Sequence, residues 1–76
     1  MTEDLVAKAG ELAKKGETFI VENNWNEARA IAEEIDSLES RAREEYGIGD
    51  SRTKKIGEIG FNYGAFYYKR STAMHS

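Results

Sequence analysis

A chain of 76 residues without cysteine or proline has room for one small domain, which at this size buries only about 60% of its unfolded surface. The lack of cysteine excludes a disulfide framework and the cysteine-based zinc and haem motifs that staple small domains, leaving oligomerisation as the expected extra source of stability. The net charge of −3 hides two opposite halves, because residues 1–50 carry 13 acidic and 6 basic side chains whereas residues 51–76 carry 1 acidic and 5 basic. Such polarity suits an anionic partner or the acidic half of another copy.

The first segment reads as an amphipathic helix. Leu5, Ala9, Leu12, Ala13, Gly16, Phe19 and Ile20 recur at three- and four-residue steps, with lysines and glutamates largely between them. Thr2 is the expected N-cap, with Glu3 and Asp4 in the first turn where the helix dipole favours anions. The pattern breaks at Val21-Glu22-Asn23-Asn24, and Asn24 followed by Glu27 has the form of a capping box that opens a second helix at Trp25. That helix presents Ala28, Ile31, Ala32, Ile35, Leu38, Ala42 and Tyr46 along one stripe. The short Asn-Asn connection makes it an antiparallel neighbour of the first, so residues 3–46 are expected to form a helical hairpin. Trp25 is read as the staple that closes it.

Gly47-Ile48-Gly49-Asp50-Ser51 is the clearest break, covering residues 47–51: Gly47 can end a helix in the left-handed conformation, and Asp50 or Ser51 can cap the next. The segment from Arg52 to Ser71 is ambiguous in period. Ile56, Ile59, Gly60, Tyr63, Gly64 and Tyr67 fit a helix face, while Ile59, Phe61, Tyr63, Ala65 and Tyr67 alternate as a strand would. The helical reading is adopted, giving an all-α domain with a third helix over 52–71 and a frayed tail over 72–76. Gly57, Gly60 and Gly64 then cost about 0.8–1 kcal/mol each relative to Ala. Their placement near one face implies close approach of another backbone, so Gly57, Gly60, Phe61, Gly64 and Phe66 are the expected homo-oligomer interface.

Catalysis has little to build on, and no enzyme, cofactor or metal site is expected. The single histidine, His75, sits at the tail, the doublets Glu33-Glu34 and Glu44-Glu45 read as solvated faces, and no Walker-type phosphate loop is present. The most informative chemistry is Ser51-Arg52-Thr53-Lys54-Lys55, three cations and two hydroxyls at a helix N-terminus whose dipole favours anions. A phosphate bridging the free backbone N–H groups and these side chains would relieve that conflict. Further on, Phe66-Tyr67-Tyr68-Lys69-Arg70 sets aromatics that can stack on bases beside cations that can hold phosphates. Ser51, Arg52, Thr53, Lys54, Lys55, Tyr67, Lys69 and Arg70 are therefore the expected ligand contacts. With only 5 basic residues in this half, a small nucleotide or a protein surface fits better than duplex nucleic acid.

Ile56-Gly57, then Phe61, Gly64-Ala65-Phe66, Arg70 and Ala73 resemble the terminal-helix pattern of the small phage anti-CBASS proteins that sequester cyclic nucleotide messengers. In that family a helix carries Ile-Gly, a large apolar residue four positions after the glycine, a second glycine followed by apolar residues, then Arg and a small residue. The resemblance covers residues 56–73 alone. The family's tail commonly contains Pro-Thr, which this proline-free chain lacks. The resemblance implies an all-helical homo-oligomer that holds its messenger between subunits without degrading it. The resulting expectation is a non-catalytic sponge for small cyclic nucleotides that counteracts nucleotide-signalled antiviral defence. The alternative is a small phage-type inhibitor or adaptor that binds a host protein through the aromatic third segment. No run is long and apolar enough for a membrane span, and Met1-Thr2-Glu3-Asp4 lacks the features of a secretory signal. A cytoplasmic location follows as an expectation, the host cytoplasm for a viral protein.

Overall fold

The computed structural model describes residues 4–75, with three helices in chain order: α1 (Leu5–Val21), α2 (Trp25–Glu45) and α3 (Ser51–His75). The expected cap at Thr2 lies outside the described residues. Asp4 caps α1 instead, its Oδ1 accepting from the Ala7 N–H at 3.1 Å, so the first described helical turn begins two residues later than position 3.

α1 ends without glycine. Asn23 takes φ +61, its N–H donates to the Ile20 carbonyl at 3.0 Å, and the Asn24 N–H donates to the Phe19 carbonyl at 2.8 Å. These are the two bonds of a Schellman turn, with asparagine tolerating the left-handed position. The expected capping box at Asn24 is not formed: Asn24 precedes α2 but its side chain makes no cap hydrogen bond. Its backbone is committed to closing α1, which sets its angles at φ −90, ψ 76. Gly47 takes φ +101 after α2, and its N–H donates to the Arg43 carbonyl. Asp50 then opens α3.

Residues 59–68 are helix, with no strand among the described residues. α3 also runs past the expected end at 71 through positions assigned to a frayed tail, and reaches His75. Beyond Gly64 the chain holds neither glycine nor proline, so nothing in Ser71-Thr72-Ala73 stops it.

Two apolar clusters hold the helices together. Leu5, Ala9, Leu38, Ala42 and Ile56 form the first, which joins the start of α1 and the start of α3 to the last turns of α2. Ile20, Ala28, Ile31, Ile35 and Tyr63 form the second, with Trp25, Phe66 and Tyr67 packed partly buried against it. Leu12 touches both. Every helix thus contributes one stripe, and the molecule measures 41 × 22 × 13 Å.

The glycines of α3 find part of their purpose inside the chain. A Cβ on Gly60 would stand 3.3 Å from Ile35 Cγ2, and one on Gly57 would stand 3.3 Å from the Glu39 carboxylate. α3 therefore uses Gly57 and Gly60 to approach α2, a benefit the sequence reading assigned to another copy. Gly64 has no neighbour within 4 Å of such a Cβ.

Candidate functional site

The N-terminal end of α3 gathers the densest set of expected contacts, and two of the five, Arg52 and Thr53, are already occupied. Asp50 accepts the Arg52 backbone N–H at 2.8 Å and holds the guanidinium in a forked pair, Nε at 2.9 Å and the second nitrogen at 3.0 Å. The same guanidinium lies 3.8 Å from the centre of the Tyr46 ring. The hydrogen bonds from Arg52 hold the Asp50 carboxyl down at about 2, and the carboxylate in turn raises the Arg52 pKa. The conflict expected between cations and the helix dipole is resolved by Asp50, which neutralises Arg52 and caps the helix together.

Thr53 is not a ligand contact. It is buried, with its hydroxyl 2.8 Å from the Gly47 carbonyl and 3.2 Å from the Ala42 carbonyl, the two acceptors it can donate to. Its role is to tie the first turn of α3 to the end of α2, and a helical position between Arg52 and Lys54 faces inward because the core stripe runs through Thr53, Ile56 and Tyr63. Lys54 and Lys55 are exposed, as is Ser51. Ser51, Arg52 and Lys55 line one open groove with Asp4 and Val6 of α1.

The second set of expected contacts lies at the other end of α3. Lys69 follows Lys54 by fifteen positions, about 22 Å along a helix. One chain therefore cannot close both sets around a small nucleotide. Tyr67 is half-buried, its ring edge-to-face with Trp25 at a centroid distance of 5.5 Å, so it serves the core and not a base-stacking surface. Trp25 thereby joins α2 to α3. Phe66, expected at an oligomer interface, packs on the second cluster, whereas Lys69 and Arg70 are exposed.

The partners of Tyr63 and the exposure of Tyr68 escaped the sequence, whereas Phe61 and Gly64 were already among the expected interface residues. Tyr63 is buried and donates its hydroxyl to the Ala28 carbonyl at 2.5 Å, and its ring occupies the space where a Cβ on Gly16 would stand. Burial pushes the Tyr63 phenol up to about 12, with the neighbouring Tyr67 and Glu17 adding to the shift. Tyr68, passed over in favour of Tyr67, is 72% exposed, and Phe61, seven positions earlier on the same face, is 77% exposed. With Gly64 and Ala65, also exposed, they form an apolar stripe along the outer side of α3.

Among the described residues no group of His, Cys, Asp and Glu is gathered to hold a metal ion, and no helix is long and apolar enough to cross a membrane. No family model, curated protein or solved structure matches this chain. The likeness of residues 56–73 to the cyclic-nucleotide sponges accordingly rests on those residues themselves.

Proposed function

We propose that this protein works by binding rather than by catalysis, and that the outer face of α3 is the surface through which it docks on a protein, as a small inhibitor or adaptor. In this reading α1 and α2 form an antiparallel hairpin whose task is to display α3. The observation that carries it is the exposure of Phe61 and Tyr68 on one helix face while the inner aromatics, Tyr63, Phe66 and Tyr67, are spent on the core. Large aromatics in the open cost solubility unless a partner covers them, and aromatics are the residue type that concentrates binding energy at protein interfaces. The test is Phe61→Asp, which removes the apolar stripe without touching the core. Loss of protein–protein association with an unchanged helical spectrum supports the reading, and association that survives the substitution ends it.

A second reading, sequestration of a small anionic nucleotide between subunits, is favoured by the groove that Ser51, Arg52 and Lys55 line at the start of α3. Asp4 and Asp50 beside it work against an anion, so the site would need cations from a second copy. Melting the protein against a panel of cyclic di- and trinucleotides tests it, because a ligand at 100 times its dissociation constant stabilises by about 2.7 kcal/mol. Lys54→Ala with Lys55→Ala should abolish any shift.

A further inference from the structure

On the side away from α2, the helices α1 and α3 leave a groove between them. Their starts meet at one pole, so they run parallel, and the opening beside Val6, Ser51 and Lys55 is the first stretch of that groove. Two adjoining depressions of about 310 and 370 Å³ continue it. In the first, Gly10, Ala13 and Glu17 of α1 face Ile59 and Asn62 of α3 over the Tyr63 ring. The second shares Glu17 and adds Val21 and Phe66. On α1 the row Val6, Gly10, Ala13, Glu17 and Val21 advances by four, three, four and four residues, the spacing with which a helix meets a neighbouring helix. Its outer edge is open, since a Cβ on Gly10 would meet nothing within 4 Å and Val21 is 57% exposed.

We propose that this groove receives an amphipathic helix of a foreign protein, about four turns long, with one arginine or lysine in the middle of its apolar stripe. Val21 follows Val6 by fifteen positions, about 22 Å along α1, which sets the length. A helix fits because the backbones of α1 and α3 are bonded within themselves between their ends and offer an extended peptide no partners, whereas a helix arrives with its own bonds made. Gly10 and Ala13 let its backbone approach closely. The cation follows from Glu17, which stands exposed in an otherwise apolar row, without an ion pair among the described residues, and shares its depression with Asn62. A charge at such a position fixes the register of pairing and selects against partners that do not answer it. Lys14 borders both depressions, so the flank of the occupant beside it is acidic.

A second copy fits less well. The apolar face it could bring, Phe61 and Tyr68, lies about 150° round α3 from Phe66 in the groove, so each copy would offer its groove to one neighbour and its rings to another, a head-to-tail contact that does not close. With surfaces on two sides of α3 the protein can hold two partners at once. The groove thus goes beyond the docking face already proposed, and only the choice of adaptor over inhibitor rests on that reading.

Two synthetic helical peptides of about 18 residues test the groove on the full chain. Both carry leucine and alanine at three- and four-residue steps, one with arginine and one with glutamate at the central position. Titrated to about 1 mM, the arginine peptide should shift the amide resonances of Gly10, Ala13 and Glu17. Saturation that leaves α1 unmoved, or no titration, overturns the proposal. Gly10→Leu enters open space and should block binding while keeping the helical spectrum, and binding as strong as the parent's overturns it. Glu17→Lys should weaken the arginine peptide about tenfold or more and turn the preference to the glutamate peptide. An unchanged preference removes the cation and overturns it. A peptide-free mass that climbs with concentration and falls back in Gly10→Leu names a second copy as the occupant and also overturns it. Phe61→Asp should leave these titrations unchanged whether or not the outer face docks, so the two surfaces fail separately.

Discussion

The Tyr63 hydroxyl donates to the Ala28 carbonyl across the interface between α3 and α2, at 2.5 Å and 35 positions apart in sequence. The ring that carries it passes over Gly16 of α1, so one side chain meets all three helices. Tyr63→Phe keeps the ring and removes the bond, and should lower unfolding free energy by about 1 kcal/mol in urea titrations. Gly16→Ala should cost about 1–3 kcal/mol despite its better helix propensity, because the methyl group and the ring claim the same space. Replacing Tyr63 by Ala in the Gly16→Ala background should cost less than the two single effects summed.

The same phenol makes stability sensitive to alkali. Its pKa is raised from 10.0 in the unfolded chain to about 12 in the fold, so its contribution is complete below pH 10 and is lost as pH rises through 12. The stability difference between the parent and Tyr63→Phe should be constant from pH 7 to about 9.5 and shrink or reverse towards pH 12. A difference that stays flat across that interval would contradict the burial of the phenol.

Asp50 acts at the opposite end of the scale. Its carboxyl is lowered from 3.8 to about 2 by Arg52, so what it contributes is present above pH 4 and disappears as pH falls through 2. Asp50→Asn preserves an oxygen for the Arg52 N–H but removes the charge. Its melting point should lie below the parent's at pH 7 and converge with it near pH 2, and added salt should narrow the gap at neutral pH.

Thr53 and its neighbours separate structural from surface roles. Thr53→Val deletes the hydroxyl shared by the Ala42 and Gly47 carbonyls, and should cost about 1 kcal/mol and speed amide exchange at the α2–α3 turn. Lys54→Ala and Lys55→Ala, both at exposed positions, should each stay within about 0.5 kcal/mol of the parent.

Gly60 and Gly64 should diverge on substitution by Ala, as read in urea titrations. Gly64→Ala enters open space and should stabilise α3 by up to about 1 kcal/mol. Gly60→Ala sets its methyl 3.3 Å from Ile35 Cγ2, and the crowding offsets the gain in propensity, leaving the variant the less stable of the two.

The helical stripes were legible because they depend on period alone. Leu5, Ala9, Gly16 and Ile20, then Ala28, Ile31, Ile35, Leu38 and Ala42, are the residues that the three- and four-residue steps picked out and that the fold buries. In α3 the two periods competed, since Tyr63 and Tyr67 satisfy both, and only the burial of Thr53, Ile56 and Tyr63 on one side separates them. The site was less legible. The Asp50–Arg52 pair was within reach, two residues apart, whereas the acceptors of Thr53 lie 6 and 11 positions away and exist only once α2 and α3 meet. Tyr67 and Tyr68 are chemically identical neighbours, and the 100° between them decides which ring faces Trp25 and which faces water.

Asp4 and Asp50 each cap a helix start, and both starts share one apolar cluster with the last turns of α2. A helix carries about half an elementary charge of opposite sign at its two ends. Two starts and one finish at the same pole give the backbone there about half a positive charge in excess, and the carboxylates of Asp4 and Asp50 sit on the two starts that carry it. The fold is consequently a bar with a direction. That direction is felt within the first and last turns and is screened beyond about 10 Å, so two aspartates placed on the starts themselves answer it where it acts.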